Sequence, residues 1–422
     1  MAGRAESVFR SANFRRLWFS QVVSKAGSNL TEIALAVFAF NASGGKPLAY
    51  ATVLALSTVP PVLLGWLAGG FVDRWDRRRT LVTGDVIRAV LVASIPFVGH
   101  LWWAYVVVFL SQCIGLLYTP NQRAVLPDMV GEGRITAAAA AINAGTSAVD
   151  IPAYLLGIGL LTRVGLKPTF LGDGLSYAVA AVALFGLALP ADARGESRSR
   201  HTADFWLRFR SELRGGFEYY RDHALVQKFL WLGIVGAIGL EGLNLLTATL
   251  MRTLLHRPEA NLGLLLAAQA AGVLGGSALL GDRLRQRRFY PWVIGLGFFL
   301  LGASDAGLAT GRLIVVDLLF SVLAGIGVAL VNAPTRGWLL AVVPATVRGR
   351  VFVARGIGLG VASVVSVLGA GLIAQIFGTE SALWALTLVL LLTSAMTLLA
   401  LIPEARRERL LEDAGRARAA ID

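Results

Sequence analysis

The chain has 422 residues, 56% of them hydrophobic and only 15% charged, with a mean hydropathy of +0.66 and a formal net charge of +13. A soluble protein of this length must leave polar residues on its outside, so this composition excludes an ordinary soluble enzyme or binding domain. Apolar runs of about 18 or more residues recur almost throughout, without the alternation a membrane barrel requires, which predicts an all-α membrane protein.

Taken in chain order, the pattern predicts spans at about 14–40, 48–72, 80–99, 102–120, 136–162 and 168–189, then at about 226–250, 260–281, 290–309, 312–335, 352–377 and 382–402. Each is long enough to cross about 30 Å of hydrocarbon at 1.5 Å per residue. The first carries Lys25, Asn29 and Glu32 at a spacing that puts them on one helix face. The third carries Asp85 and Arg88, the fifth Asp150, and the seventh Glu241 and Asn244 on one face. Asp173, Asp305 and Asp317 fall within one or two turns of the expected outer surface, where they reach solvent. The sixth and seventh spans are separated by the only long polar stretch. It begins as a flexible linker and continues through Phe205, Trp206, Phe209, Leu213 and Phe217, an amphipathic pattern expected along the membrane surface. The expected organisation is thus a first six-helix bundle (1–189), a linker with its amphipathic segment (190–222), a second bundle (223–403) and a cytoplasmic tail (404–422).

The basic residues orient this arrangement. With the N-terminus in the cytoplasm, the inner segments hold 29 Lys and Arg against 6 in the outer loops, counting Arg348, Arg350 and Arg355 in one inner loop. That ratio places both termini inside and accounts for the positive charge without a nucleic-acid partner. The single cysteine, Cys113, sits in an apolar run, and the four histidines lack metal-ligand spacing. Neither a disulfide within the chain nor a metal centre is expected, and no grouped histidines suggest a membrane-embedded enzyme. The first apolar segment follows an Arg-rich start and lacks a small-residue cleavage site, so no cleavable signal peptide is expected.

The halves echo each other. The second span ends Gly70-Phe-Val-Asp73-Arg74 and the eighth Leu280-Gly-Asp282-Arg283; the fourth and tenth end in Pro-containing segments followed by Arg123 and Arg336. Two parallel six-helix repeats imply a cavity at their interface near the bilayer midplane. The glycine pairs Gly65 and Gly69, Gly272 and Gly276, and Gly356 and Gly360 have the small-xxx-small spacing of close helix packing.

The stretch Gly69-Gly-Phe-Val-Asp73-Arg74-Trp-Asp76-Arg77-Arg78-Arg79 resembles the loop between the second and third helices of the major facilitator superfamily, with Asp76 in place of a later Gly. In that loop an Asp at a helix end bonds basic residues and a facing helix N-terminus, a latch that opens and closes the cytoplasmic gate. Gly69, Asp73, Arg74, Arg77, Arg78, Asp85, Arg88 and Arg123 are the expected gate residues. Further segments look like one branch of the superfamily: Asn13-Phe-Arg-Arg-Leu-Trp-Phe-Ser-Gln21, Asp85-x-x-Arg88-Ala89, Arg123-Ala-Val-Leu-Pro127, Gly215-Gly-Phe-Glu-Tyr-Tyr220 and Arg348-Gly-Arg-Val-Phe352. This is the drug-efflux branch that includes macrolide exporters and the enterobactin exporter. The similarity covers about residues 10 to 403.

The resemblance implies twelve helices in two six-helix halves, in a bacterial cytoplasmic membrane, probing cargo that is small and amphipathic and exporting it by proton antiport. It implies no cofactor beyond the proton gradient and no partner beyond cargo and lipid, with a monomer as the working form. In the fifth span, where many antiporters carry Gly-Pro and a double Gly, the chain reads Asp150-Ile-Pro152-Ala-Tyr-Leu-Leu156, keeping only the proline. Ionisable residues within a span are costly and therefore candidate functional groups. Glu32 and Asp150 are first choices for carrying protons, with Lys25, Asn29, Glu241 and Asn244 beside them for coupling or cargo. Uptake or lipid flipping by the same fold, and a receptor or scaffold that no longer transports, are the alternatives.

Overall fold

Long apolar segments carried into hydrocarbon must satisfy their own backbone polar groups, and helices do so within one segment. The computed structural model describes residues 8–72, 76–188, 214–253, 261–280, 287–311 and 313–419, and among these residues it contains twelve long helices. They are α1 (Ala12–Ser43), α2 (Pro47–Val72), α3 (Arg77–Val98), α4 (Leu101–Val130), α5 (Ile135–Arg163), α6 (Leu166–Phe185), α7 (Ala224–Thr253), α8 (Leu262–Leu280), α9 (Tyr290–Thr310), α10 (Ile314–Val342), α11 (Ala345–Phe377) and α12 (Thr379–Ala419). Eleven are long and apolar enough to cross a membrane. The exception, α1, has the length at 32 residues but carries Arg15, Arg16, Lys25 and Glu32.

Several helices outrun the apolar segments that announced them. The fourth continues past residue 120 to Val130 and the tenth past 335 to Val342. The eleventh starts at Ala345 rather than near 352, so Arg348 and Arg350, expected in a loop, are helical. The twelfth runs on to Ala419, making most of the expected tail helical. Hydropathy marks where a chain leaves hydrocarbon, whereas a helix stops where its hydrogen bonding stops. Local signals set some of these stops. The Ser11 side chain caps α1 by accepting from the Phe14 amide, and α1 ends at Gly44, in the left-handed region at φ 69°. Asp76 caps α3, its carboxylate accepting from the Arg79 amide at 2.9 Å.

The chain divides into two compact units, Met1–Leu207 with Arg257–Ala267, and Arg208–His256 with Ala268–Asp422. Within the first, α1 packs on α5 and α6, α3 on α4 and α6, and α2 on α4. Within the second, α7 packs on α11 and α12, α9 on α10 and α12, and the later part of α8 on α10. The second scheme is the first moved on by six helices, which is what a repeated six-helix bundle requires.

Several of the segments that carry the branch resemblance are joints of this packing. Asn13 clasps the end of α6 from both sides, donating to the Ala188 carbonyl at 2.7 Å and accepting from its amide at 3.2 Å. Arg16 donates to the Gly186 carbonyl, and the Trp18 ring nitrogen to that of Ala141 at 2.9 Å. In the second unit a helical stretch over 214–222 lies on the start of α11. There a Cβ at Gly216 would come within 2.7 Å of the Arg350 carbonyl, and the Tyr220 hydroxyl donates to the Val351 carbonyl at 3.1 Å. The Gly215–Tyr220 and Arg348–Phe352 segments therefore form one joint. This stretch was expected to belong to a surface-lying amphipathic segment; Phe205, Trp206, Phe209 and Leu213 of that segment lie outside the described residues.

Of the small-residue pairs, Gly272 and Gly276 do bring helices together. Cβ atoms built at Gly272 and Gly325 would meet the backbone carbonyls of Val322 and Gln269 at 2.1 and 2.0 Å, so α8 and α10 touch backbone to backbone. Gly356, by contrast, has nothing within 4 Å of its would-be Cβ. A methyl at Gly325 must push two backbones apart. Gly325→Ala is therefore expected to destabilise the folded protein by about 1–3 kcal/mol, read as a lower melting temperature in detergent. Gly356→Ala should leave that temperature unchanged or raise it. Equal behaviour of the two variants would contradict the α8–α10 contact.

Candidate functional site

The polar face of α1 meets α5. Lys25, Asn29 and Glu32 stand at successive turns of α1, and Asp150 and Tyr154 one turn apart on α5, so the two rows come into register. The Asn29 side-chain amide donates to Asp150 Oδ1 at 2.8 Å, and Lys25 Nζ lies 3.3 Å from the same oxygen. One turn on, the Tyr154 hydroxyl donates to Glu32 Oε2 at 3.0 Å. The Lys25 and Asp150 side chains are partly exposed, at 40% and 24%, whereas Asn29 and Tyr154 are buried. Two carboxylates thus sit side by side with one ammonium, one amide and one phenol. Either can take a proton in place of its donor: at Glu32 this frees a neutral phenol, and at Asp150 it leaves Lys25 as an unpaired cation. Tyr154 was assigned no role from sequence. A tyrosine one turn after Asp150, opposite Glu32, was the available signal, but which way it faced was not readable.

A second polar layer lies in the same unit. The Arg88 guanidinium donates to the Ser111 carbonyl through Nε at 3.2 Å and through a terminal nitrogen at 3.1 Å, and lies over the rings of Tyr118 and Tyr177 at 5.8 and 5.6 Å. Both contacts hold a positive charge without a carboxylate. Asp85, one turn away on α3 and 1% exposed, forms no ion pair with Arg88 and has no hydrogen-bond partner among the described residues. Tyr177 shares a 3.0 Å hydrogen bond with Ser28 of α1. Asp173 accepts from Ser176 at 3.1 Å against Gly27, where a Cβ would meet its carboxylate at 2.3 Å.

Asp173 was expected to reach solvent near the outer surface, as were Asp305 and Asp317. The structure overturns this, burying them to 1%, 0% and 0%. Each lies on a face packed against a neighbouring helix. Gly27 admits Asp173, and Asp317 packs against Gly311. Trp338 is fully buried against the rings of Phe229 and Tyr290.

The remaining expected residues are dispersed. Glu241 and Asn244 lie on α7 in the second unit, where Ser363 of α11 faces Glu241. Arg77 lies 3.6 Å from Asp128 and donates to the Ala124 carbonyl at 3.2 Å, tying the start of α3 to the end of α4. Arg78 donates to the Phe185 carbonyl and lies over its ring, at the end of α6. Asp73 and Arg74 lie outside the described residues, as do the surroundings of Gly69 and the side chain of Arg123. Asp150 is the hub of the α1–α5 contact. Its removal in Asp150→Ala strips the buried Asn29 of its acceptor, at a cost of about 1–3 kcal/mol. The half-exposed Lys25 adds less than about 1 kcal/mol to that. Asp150→Asn keeps an acceptor and should cost about 1 kcal/mol or less. Unfolding curves in detergent check this, and an Asp150→Ala protein as stable as wild type would mean that the contact does not hold α1 to α5.

Comparison with known proteins agrees with this architecture. The family model described as Major Facilitator Superfamily matches residues 17–311. An uncharacterized MFS-type transporter of Bacillus subtilis strain 168, YfiS, is 25% identical over 402 residues, covering 92% of this chain and 93% of that protein. Macrolide efflux protein A of Streptococcus pyogenes is 26% identical over 128 residues, 29% of this chain and 31% of that protein. Among solved structures, a mutant of the nucleoside transporter NupG superposes with a TM-score of 0.77 at 11% identity, covering 92% of this chain and 99% of that one. A bacterial homologue of the iron transporter ferroportin, in an inward-facing state, gives 0.69 at 14% identity, with 92% and 98% covered. At those identities the structures speak for the fold alone. With two six-helix units repeating one packing scheme, eleven apolar helices beside a polar-faced first, and a family match over most of its length, the chain is a multi-pass membrane protein that belongs to the major facilitator superfamily.

Proposed function

We propose that this transporter exports small amphipathic molecules across a bacterial cytoplasmic membrane in exchange for protons, with both termini in the cytoplasm. The observation that carries the reading is the α1–α5 constellation. A span pays heavily for charged side chains, yet here two carboxylates and a lysine are kept where partners can be exchanged rather than replaced by apolar residues. Protonation of Glu32 or Asp150 would release Tyr154, Lys25 or Asn29. Competition between proton and cargo for those groups is what antiport requires. The local similarity to a macrolide efflux protein and the branch-like segments support the outward direction. Asp73, with Arg74 and the arginines after it, is assigned the cytoplasmic latch, and Glu241 and Asn244 a cargo contact from α7. The transporter works as a monomer among lipids, with no cofactor, no nucleic-acid partner and no chemical conversion of its cargo.

Uptake is the second reading, because the fold alone does not fix direction. Purified protein in liposomes distinguishes the two. A proton gradient is imposed and a panel of fluorescent lipophilic compounds is followed. Movement against the inward proton flux, reduced roughly tenfold or more in Glu32→Gln or Asp150→Asn, is the expected result. Asp73→Asn should slow cycling while leaving compound binding intact. Movement with the proton flux would instead establish uptake. Unaltered coupling in both carboxylate variants would remove these two residues from the coupling role.

A further inference from the structure

Asp85 and Arg88 stand one turn apart on α3, a spacing at which an ionised carboxylate and a guanidinium on one helix pair with each other. Here they do not. Asp85 is 1% exposed, and both its oxygens are buried without a hydrogen-bond partner among the described residues. The guanidinium is turned to α4, where it donates twice to the Ser111 carbonyl and lies over the Tyr118 ring. Gly115 makes that position possible, since a Cβ there would come within 2.5 Å of a terminal nitrogen of Arg88. From α6 the Tyr177 ring covers the same guanidinium, its hydroxyl shared with Ser28 of α1.

Asp85 lies on the face of α3 that packs inward. Leu81, one turn before it, belongs to a buried cluster with Leu17 of α1, Tyr118 of α4 and Leu184 of α6. The titratable groups turned toward Asp85 are thus Arg88 on its own helix, Tyr118 from α4, and Tyr177 from α6 with Asp173 one turn before it. No charged residue of α1 stands between Arg16 and Lys25, and Lys25 is held by Asp150. An ionised carboxylate enclosed in this way, with its counter-ion turned aside, is far more costly than a neutral acid. The arrangement is the one that a protonated Asp85 allows.

We propose that Asp85 is a further proton carrier of the transport cycle and that Arg88 is its exchange partner. With the proton on, the acid is neutral and Arg88 rests on α4 and α6. When the proton leaves, the carboxylate draws the guanidinium across one turn of α3, away from the Ser111 carbonyl and the two rings. The local charge falls by one, and contacts tying α3 to α4 and α6 are given up in the same step, which joins proton release to helix packing. A merely structural pair would be closed, and a run of arginines at the cytoplasmic face needs no buried acid. The proposal rests on the antiport reading above and adds a third carboxyl to Glu32 and Asp150.

The test is infrared difference spectroscopy of full-length protein in nanodiscs, which needs neither cargo nor gradient. The pH is stepped from about 5 to about 9, a range wide enough for a buried carboxyl, and the C=O stretch of protonated carboxylic acids is followed. Wild type should lose such a band as the pH rises. Asp85→Asn should lack that component, whereas Glu32→Gln and Asp150→Asn should keep it. In Arg88→Gln the band should persist for about one pH unit or more beyond wild type, which a packing role for Arg88 would not produce. In wild type alone, tyrosine ring bands should change over the same pH range, a reading that holds even where a variant fails to fold. Spectra unaltered in folded Asp85→Asn, a band that Arg88→Gln leaves unmoved, or tyrosine bands indifferent to pH overturn the proposal. An Asp85 band that titrates in protein moving no compound in liposomes keeps the proton site and removes the export reading; proton-coupled movement with no Asp85 band does the reverse.

Discussion

Every polar group that this chain carries into hydrocarbon has to be answered from within, because no water is there to answer it. For the backbone, the answer is twelve long helices. For the side chains it is a small number of cross-helix pairings, and these dictate which helices must touch. Lys25 and Asn29 need Asp150, so α1 lies along α5; Lys228 needs Glu404, so α7 lies along α12 beyond the expected end of the last span. The charges are few, and each one found inside a helix carries information about packing or about function.

The same constraint explains what the motif segments do. Asn13, Arg16 and Trp18 all donate to backbone carbonyls that helix ends or helix turns leave available on α5 and α6. Tyr220 does the equivalent for the start of α11, donating to the Val351 carbonyl, while Gly216 leaves room for the carbonyl of Arg350. Asp76, the departure from the family pattern in the loop before α3, serves as a helix cap whose acceptor a glycine would lack. Likeness at such positions reports a shared way of locking helices together. It speaks to architecture far more than to cargo, which fits a relative similar over nearly its whole length lying beside local similarity to a named exporter.

Much of the fold was legible because its two strongest signals are local. Apolar run length finds spans, and helical spacing puts Lys25, Asn29 and Glu32 on one face. What escaped depends on the partner helix. Tyr154 became part of the Glu32 contact only once α5 was set against α1. Asp173 looked solvent-facing from its distance to a helix end, yet Gly27 of another helix makes the space that buries it. Helix ends escaped for a different reason. Hydropathy changes near Arg348, but backbone hydrogen bonding does not, so Arg348 and Arg350 read as loop residues while standing in the first turns of α11.

Both units answer their charges by pairing them across helices, at different places along the helices. In the first, Lys25 and Asp150 cancel, Glu32 has a phenol donor, and Arg88 is held by a carbonyl and two rings. Protonating Asp150 there would leave Lys25 as an unpaired cation and raise the local charge by one, so proton uptake changes what the site can hold, which suits a coupling role. In the second, Lys228 of α7 pairs with Glu404 of α12 at 2.6 Å, and Arg348 is held by the carbonyls of Leu340 and Val343. These joints lie near the starts of α7 and α11, whereas the Lys25–Asp150 contact joins two helices part-way along their length. On the proposed reading it is therefore the first unit's polar row that is spared for coupling.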